Sequence, residues 1–152
     1  MRQSIVRRSP GALLLAIVAL FAMGACASAR RPEFLATTSG PPRPFSPAVK
    51  VNGFIYLSGQ LGTDSAGRLV AGGILPETRQ TMQNISALLS RSGSSLKQVV
   101  KCTVFLADMN EWAAMNEVYV TFFAADRRPA RSAMGASGLA FGARVEIECI
   151  AT

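Results

Sequence analysis

Four groups of residues in this chain have the types and positions that chemistry asks for. Arg131 sits in Pro129-Ala130-Arg131-Ser132, at the mouth of a strand just after a helix. Glu146 and Glu148 share one face of the last strand with Arg144, opposite the apolar Val145, Ile147 and Cys149. Ser58-Gly59-Gln60 follows a buried strand and could turn backbone N–H groups toward an anion. Asn116 lies on an apolar-flanked helix. Each group also has an ordinary structural role: an exposed arginine, a solvated charged face, a plain strand end, a polar helix residue. What they offer jointly is a permanent cation, carboxylates and hydrogen-bonding groups.

The residue inventory limits the chemistry further. The 152-residue chain has no histidine, which removes Ser-His-Asp and Cys-His catalysis and the commonest metal ligand. Its three cysteines, Cys26, Cys102 and Cys149, are too far apart for metal-site spacing. Reaction steps must therefore run through Arg, Glu, Ser, Tyr, backbone groups or water, with no metal and no cofactor. The net charge of +7 includes Arg2, Arg7 and Arg8 of an N-terminal leader; without them 13 basic residues face 9 acidic ones, a balance of +4. The remaining basic residues are scattered apart from Arg30-Arg31 and Arg127-Arg128, unlike the one-sided, aromatic-interleaved charge of proteins that track phosphates, so no nucleic-acid partner is expected.

The leader has a positive start, an apolar run from Gly11 to Met23, and small residues from Gly24 to Ala29, the order of a secretory signal. The run is shorter than the ~20 residues a membrane-spanning helix needs. Met23-Gly24-Ala25-Cys26 resembles a lipobox, which would put a lipid and a membrane anchor on Cys26. Ala25-Cys26-Ala27 and Ala27-Ser28-Ala29 are alternative cleavage sites. Residues 1–27 thus read as a signal peptide, 28–42 as a proline-rich tether and 43–152 as the domain, in the periplasm or on a membrane facing it.

Hydrophobic residues make up 49% of the chain and charged residues 16%, a globular composition with room for one core. Asn52-Gly53 marks a hairpin between an arm over 43–51 and the strand Phe54–Leu57. Leu69-Val70 reads as a short third strand. Leu75, Met82, Ile85, Leu88 and Leu89 give helical spacing from about Pro76 to Ser92, stopped by Gly93. Val99–Leu106 alternates as a strand. Asp108 and Glu111 resemble a capping box for a second helix, with Met115, Val118, Tyr119, Phe122 and Phe123 as its apolar face and Pro129 as its end. Strands over 130–137 and 144–151 close the domain. Cys102 and Cys149 face a core and read most plainly as two free thiols, with a disulfide between them the alternative that an oxidising compartment permits. The order βββαβαββ predicts an α+β domain with a mixed sheet and two helices on one face; the other face then needs a partner, so oligomers are expected.

Five segments, in this order, resemble the Rid (YjgF) family of enamine/imine deaminases: Tyr56-Leu57-Ser58-Gly59-Gln60, Val99 to Leu106, Met115-Asn116-Glu117-Val118-Tyr119, Pro129 to Ser132, and Arg144 to Ala151. The likeness spans Arg43 to Ala151. It implies a chorismate-mutase-like fold forming homotrimers with clefts between subunits. It also implies hydrolytic deamination of small 2-imino or enamine acids to 2-keto acids and ammonia. Arg131 matches the family's carboxylate-gripping arginine, Glu146 the glutamate that positions water, and Ser58, Gly59 and Asn116 pocket residues. Two positions depart from the pattern: Phe45 replaces a pocket tyrosine and loses its hydroxyl, and Ala133 replaces a frequent cysteine. These departures keep a second reading in view, a non-catalytic trimer that binds small carboxylates through Arg131.

Overall fold

Val99–Leu106 is the longest strand of the molecule, with Cys102, Val104 and Leu106 alternating into the core and Val99 buried across an irregularity that leaves Val100 exposed. The structure, a computed structural model, describes residues 31–38 and 43–152. The leader, its cleavage sites and Cys26 lie outside the described residues. In chain order the strands are β1 (Glu33–Phe34), β2 (Ala48–Val51), β3 (Phe54–Leu57), β4 (Gln60–Leu61), β5 (Val99–Leu106), β6 (Ala130–Gly135) and β7 (Val145–Ala151). The helices are α1 (Ile74–Arg91) between β4 and β5, and α2 (Trp112–Tyr119) between β5 and β6. All strands join one mixed sheet in the order β1-β2-β3-β7-β5-β6, with β4 also on β7; only β5 and β6 run parallel, joined by the α2 crossover.

The hairpin forms as its sequence predicts. Asn52 (φ 50°) and Gly53 (φ 83°) both take the left-handed conformation that a two-residue loop between twisted strands requires. The α1 stripe is right at Met82, Ile85, Leu88 and Leu89, but the helix starts two residues before Pro76 and buries Ile74, leaving Leu75 exposed. Leu69-Val70 is not a strand. Leu69 makes a single bridge to Thr63, and the loop is closed locally by the Asp64 carboxylate, which accepts the N–H groups of Ala66 and Arg68. The pairing expected there is made by β4. Residues 31–38, read as tether, include β1, which extends the sheet along β2.

The second helix is shorter than its apolar face suggests. The Asp108 side chain caps a 3-10 turn by accepting from the Asn110 N–H, α2 follows, and the chain turns extended at Phe123, well before Pro129. Phe123 folds back onto Tyr119, ring centroids 5.0 Å apart, so packing ends the helix before proline can.

Both helices cover one face, where Met82, Ile85, Leu89 and Met115 meet Val104, Leu106, Val145 and Ile147 in one core. Cys102 and Cys149 are in that core but are not free thiols. They sit directly opposite in the β5–β7 register, Cα atoms 4.1 Å apart, and form a disulfide. The other face carries the alternate residues of the same strands. Phe54, Tyr56 and Met134 remain more than 40% exposed there, so no element among the described residues covers it.

Candidate active site

The sheet sorts the candidate residues into two groups on opposite faces. Arg131 is in register with Cys102 of β5, and Cys102 with Cys149 of β7, so Arg131 belongs to the helix-covered face. Glu146 is in register with Phe105, and Phe105 with Met134, a row of the open face. Three residue steps and two strand spacings separate the rows, roughly 10 Å in each direction. One chain therefore does not bring Arg131 and Glu146 to a common small molecule. Cavities of about 550, 410, 350 and 150 Å³ on the described surface are lined by other residues.

The arginine group is built by edge strand β6 and helix α2. Arg131 Nη1 donates to Asn116 Oδ1 at 2.5 Å, which brings two separate sequence candidates into direct contact. The guanidinium carbon lies 4.8 Å from the Tyr119 ring centroid and 5.8 Å from that of Trp112. Ala133 follows two residues later on the same face, half-buried against the core. Trp112 and Tyr119 were not among the sequence candidates, although their spacing around Asn116, four residues before and three after, places all three on one helix face. Burial pushes the Tyr119 hydroxyl up to about 12, against the opposing pull of Arg131, so it stays neutral.

The glutamate group is built where β3, β4 and β7 meet. A Cβ on Gly59 would stand 1.8 Å from Glu146 Oε1, so only glycine lets this carboxylate lie against the backbone. Burial, and then the neighbouring charge of Glu148, raises Glu146 above the ordinary carboxylate range. Ser58 Oγ donates to Ser46 O at 2.7 Å, and the Ser58 N–H to Pro47 O at 3.0 Å. That backbone donor is therefore spent inside the fold and is not offered to an anion. Gln60 Nε2 ties down the carbonyls of Ser58 and Gly59. Phe45, half-exposed beside Ser46, lies under the Arg43 guanidinium at 5.9 Å.

A support that sequence reasoning passed over stands behind Glu146. Glu77 of α1, 3% exposed, accepts the N–H groups of Arg144 and Val145 through Oε1 at 2.7 and 3.3 Å, fixing the start of β7. It needs Gly62 beside it, where a Cβ would come within 2.5 Å of Glu77. Arg144 in turn is forked by Glu111, which holds this arginine rather than completing the capping box expected of it. Among the described residues no group of three or more Cys, Asp or Glu side chains is placed to hold a metal ion.

The profile of the family described as Endoribonuclease L-PSP matches residues 37–152. The 2-iminobutanoate/2-iminopropanoate deaminase of Mus musculus is 45% identical over 122 residues, covering 78% of this chain and 90% of the relative. The Homo sapiens protein of that name is 42% identical, covering 80% and 89%. Among solved structures, YyfA from Yersinia pestis, described as a member of the conserved Rid protein family, superposes with a TM-score of 0.74 at 36% identity, covering 80% of this chain and 98% of that one. With the profile running through both residue groups and strands β2 to β7, this chain belongs to the Rid (YjgF) family, the Endoribonuclease L-PSP family.

Proposed function

We propose that the protein hydrolyses small 2-imino acids, and their enamine tautomers, to 2-keto acids and ammonia. The site is assembled between copies of the chain, with the Arg131 group of one subunit meeting the Glu146 group of the next in a homotrimer. The observation that carries this reading is the placement of Arg131 at a sheet edge, held by Asn116 through one nitrogen and in no ion pair among the described residues. The names and high identity of the mammalian relatives support the reaction type. The uncovered apolar sheet face supports association.

The chemistry follows from the two groups. Arg131 binds the planar carboxylate with a fork that never loses its charge. Water adds to the C2 carbon of the protonated imine; the C=N electron pair moves to nitrogen, and Glu146 takes a proton from the attacking water as the C–O bond forms, giving a neutral carbinolamine. Glu146 returns that proton to the amine nitrogen, and the C–N bond then breaks as the hydroxyl proton passes to Glu146 and the C=O bond forms, leaving the 2-keto acid and ammonia. A carboxylate raised by partial burial is a better base for this step than an ordinary surface glutamate. Gly59 leaves the carboxylate the room its position needs.

The same reading takes the mature protein out of the cytoplasm, through the leader and, by lipid on Cys26, onto a membrane. The Cys102–Cys149 disulfide suits an oxidising compartment. The test is a coupled assay in which an amino-acid oxidase or dehydratase generates 2-iminopropanoate or 2-iminobutanoate. Its decay should accelerate when the purified protein is added. Binding of the 2-keto acid without acceleration would instead select the non-catalytic carboxylate-binding protein, to which the missing Phe45 hydroxyl points.

A further inference from the structure

Three arginines with well-placed partners can be compared in this molecule. Arg144 is forked by the Glu111 carboxylate and Arg68 by Asp64, so each has its charge offset within the fold. Arg131 is held as closely, but by neutral groups only: the Asn116 amide oxygen and the faces of Trp112 and Tyr119. Those three residues follow one another at steps of four and three along α2, so a single helix face grips one guanidinium.

We propose that Trp112 and Tyr119 are positioning residues that, with Asn116, fix the plane of the Arg131 guanidinium so that its Nε–H and Nη2–H edge faces the substrate carboxylate. This rests on the reading that Arg131 grips that carboxylate. A guanidinium carries five coplanar N–H donors. With Nη1 engaged by Asn116, the donors on Nε and Nη2 remain as the side-by-side pair that matches the two oxygens of a carboxylate. The aromatic faces hold the cation without consuming a donor or cancelling its charge. Tyr119 is the floor: its ring is 3% exposed and packed on Phe123, and its hydroxyl has no hydrogen-bond partner among the described residues, so the contact it offers Arg131 is the ring itself. Trp112 is the rim, 42% exposed, so its replacement removes the contact without opening the core. An unheld arginine would instead spend binding energy on freezing its long side chain each time a ligand arrived.

The experiment is a double-mutant cycle on the mature protein, with 2-oxobutanoate binding followed by NMR titration for Trp112→Leu, Arg131→Lys and the pair. Trp112→Leu should weaken binding about 3–10-fold, the range of a partly desolvated cation–π contact. In the Arg131→Lys background it should weaken binding little further, because the fork it positions is already gone. Trp112→Phe should restore most of the loss. Equal weakening by Trp112→Leu in both backgrounds, or none in either, overturns the positioning role and leaves the carboxylate grip standing. If Arg131→Lys binds as well as the parent, the carboxylate grip fails and this inference with it.

Discussion

The arginine half and the glutamate half of the site are built on opposite principles. Around Arg131 the fold adds side chains: an amide, two rings and an edge strand converge on one guanidinium. Around Glu146 it takes them away, since a single Cβ at Gly59 would occupy the space of the carboxylate oxygen. A cation that must hold a ligand in one orientation gains from neighbours that remove its freedom. A carboxylate that must exchange a proton with water gains from partial burial and an uncrowded approach. In the proposed reaction the first half binds and the second turns over.

Variants of the two halves should separate along that line. Glu146→Gln removes the proton acceptor but keeps the shape, so kcat should fall about 100-fold or more while 2-keto acid affinity changes little. Affinity lost in step with turnover would return Glu146 to a binding role. Gly59→Ala should come next, lowering kcat by tens of fold through a displaced carboxylate, on the order of the cost of misplacing a catalytic group by an ångström. A crystal structure of the variant with Glu146 unmoved and activity intact would remove glycine's part in the site. Arg131→Lys keeps the charge but not the fork; losing roughly 1.5–3 kcal/mol of charge-assisted bonding should weaken substrate and product about 10–100-fold, in KM more than in kcat.

The smallest effect is in the pH profile. Glu146 works as a base when ionised, so kcat/KM should fall as pH drops through its raised pKa. The inflection should lie above the ordinary carboxylate range. Glu148→Gln removes the like charge that is the lesser of the two causes. The inflection should move to lower pH yet stay raised, because burial remains. An inflection that does not move would mean Glu148 has no hold on the base.

How far the sequence alone reaches depends on whether a feature is local. The Asn52-Gly53 hairpin, the strand over Val99–Leu106 and most of the α1 stripe rest on short-range periodicity and turn chemistry, and all are legible in advance. Leu69-Val70 has strand composition but makes only a single bridge, to Thr63, while β4 pairs with β7. Cys102 and Cys149 look like isolated core thiols until the register of β5 and β7, 47 residues apart in sequence, sets them opposite each other. For the candidate site, resemblance to a family singled out Arg131, Glu146, Gly59 and Asn116, and the structure sets Arg131 against Asn116 and Glu146 against Gly59. The segregation of Arg131 from Glu146 was not legible, because face is decided by register across three strands. Glu77 was missed because a glutamate in the first turn of a helix ordinarily faces solvent, and only packing shows that it holds the backbone of Arg144 and Val145.

The central claim is that a working site takes its arginine from one subunit and its glutamate from another. Subunit mixing tests it most directly. Arg131→Ala and Glu146→Gln proteins are each prepared, shown to have lost nearly all activity at substrate well below the parental KM, unfolded and refolded together, and checked by native mass spectrometry for mixed trimers. In random 1:1 reassembly into cyclic trimers, about a quarter of all interfaces pair an intact arginine half with an intact glutamate half, so roughly a quarter of parental activity should return. Mixed trimers that remain as inactive as either variant alone would place both residues in the same subunit's site and contradict the account.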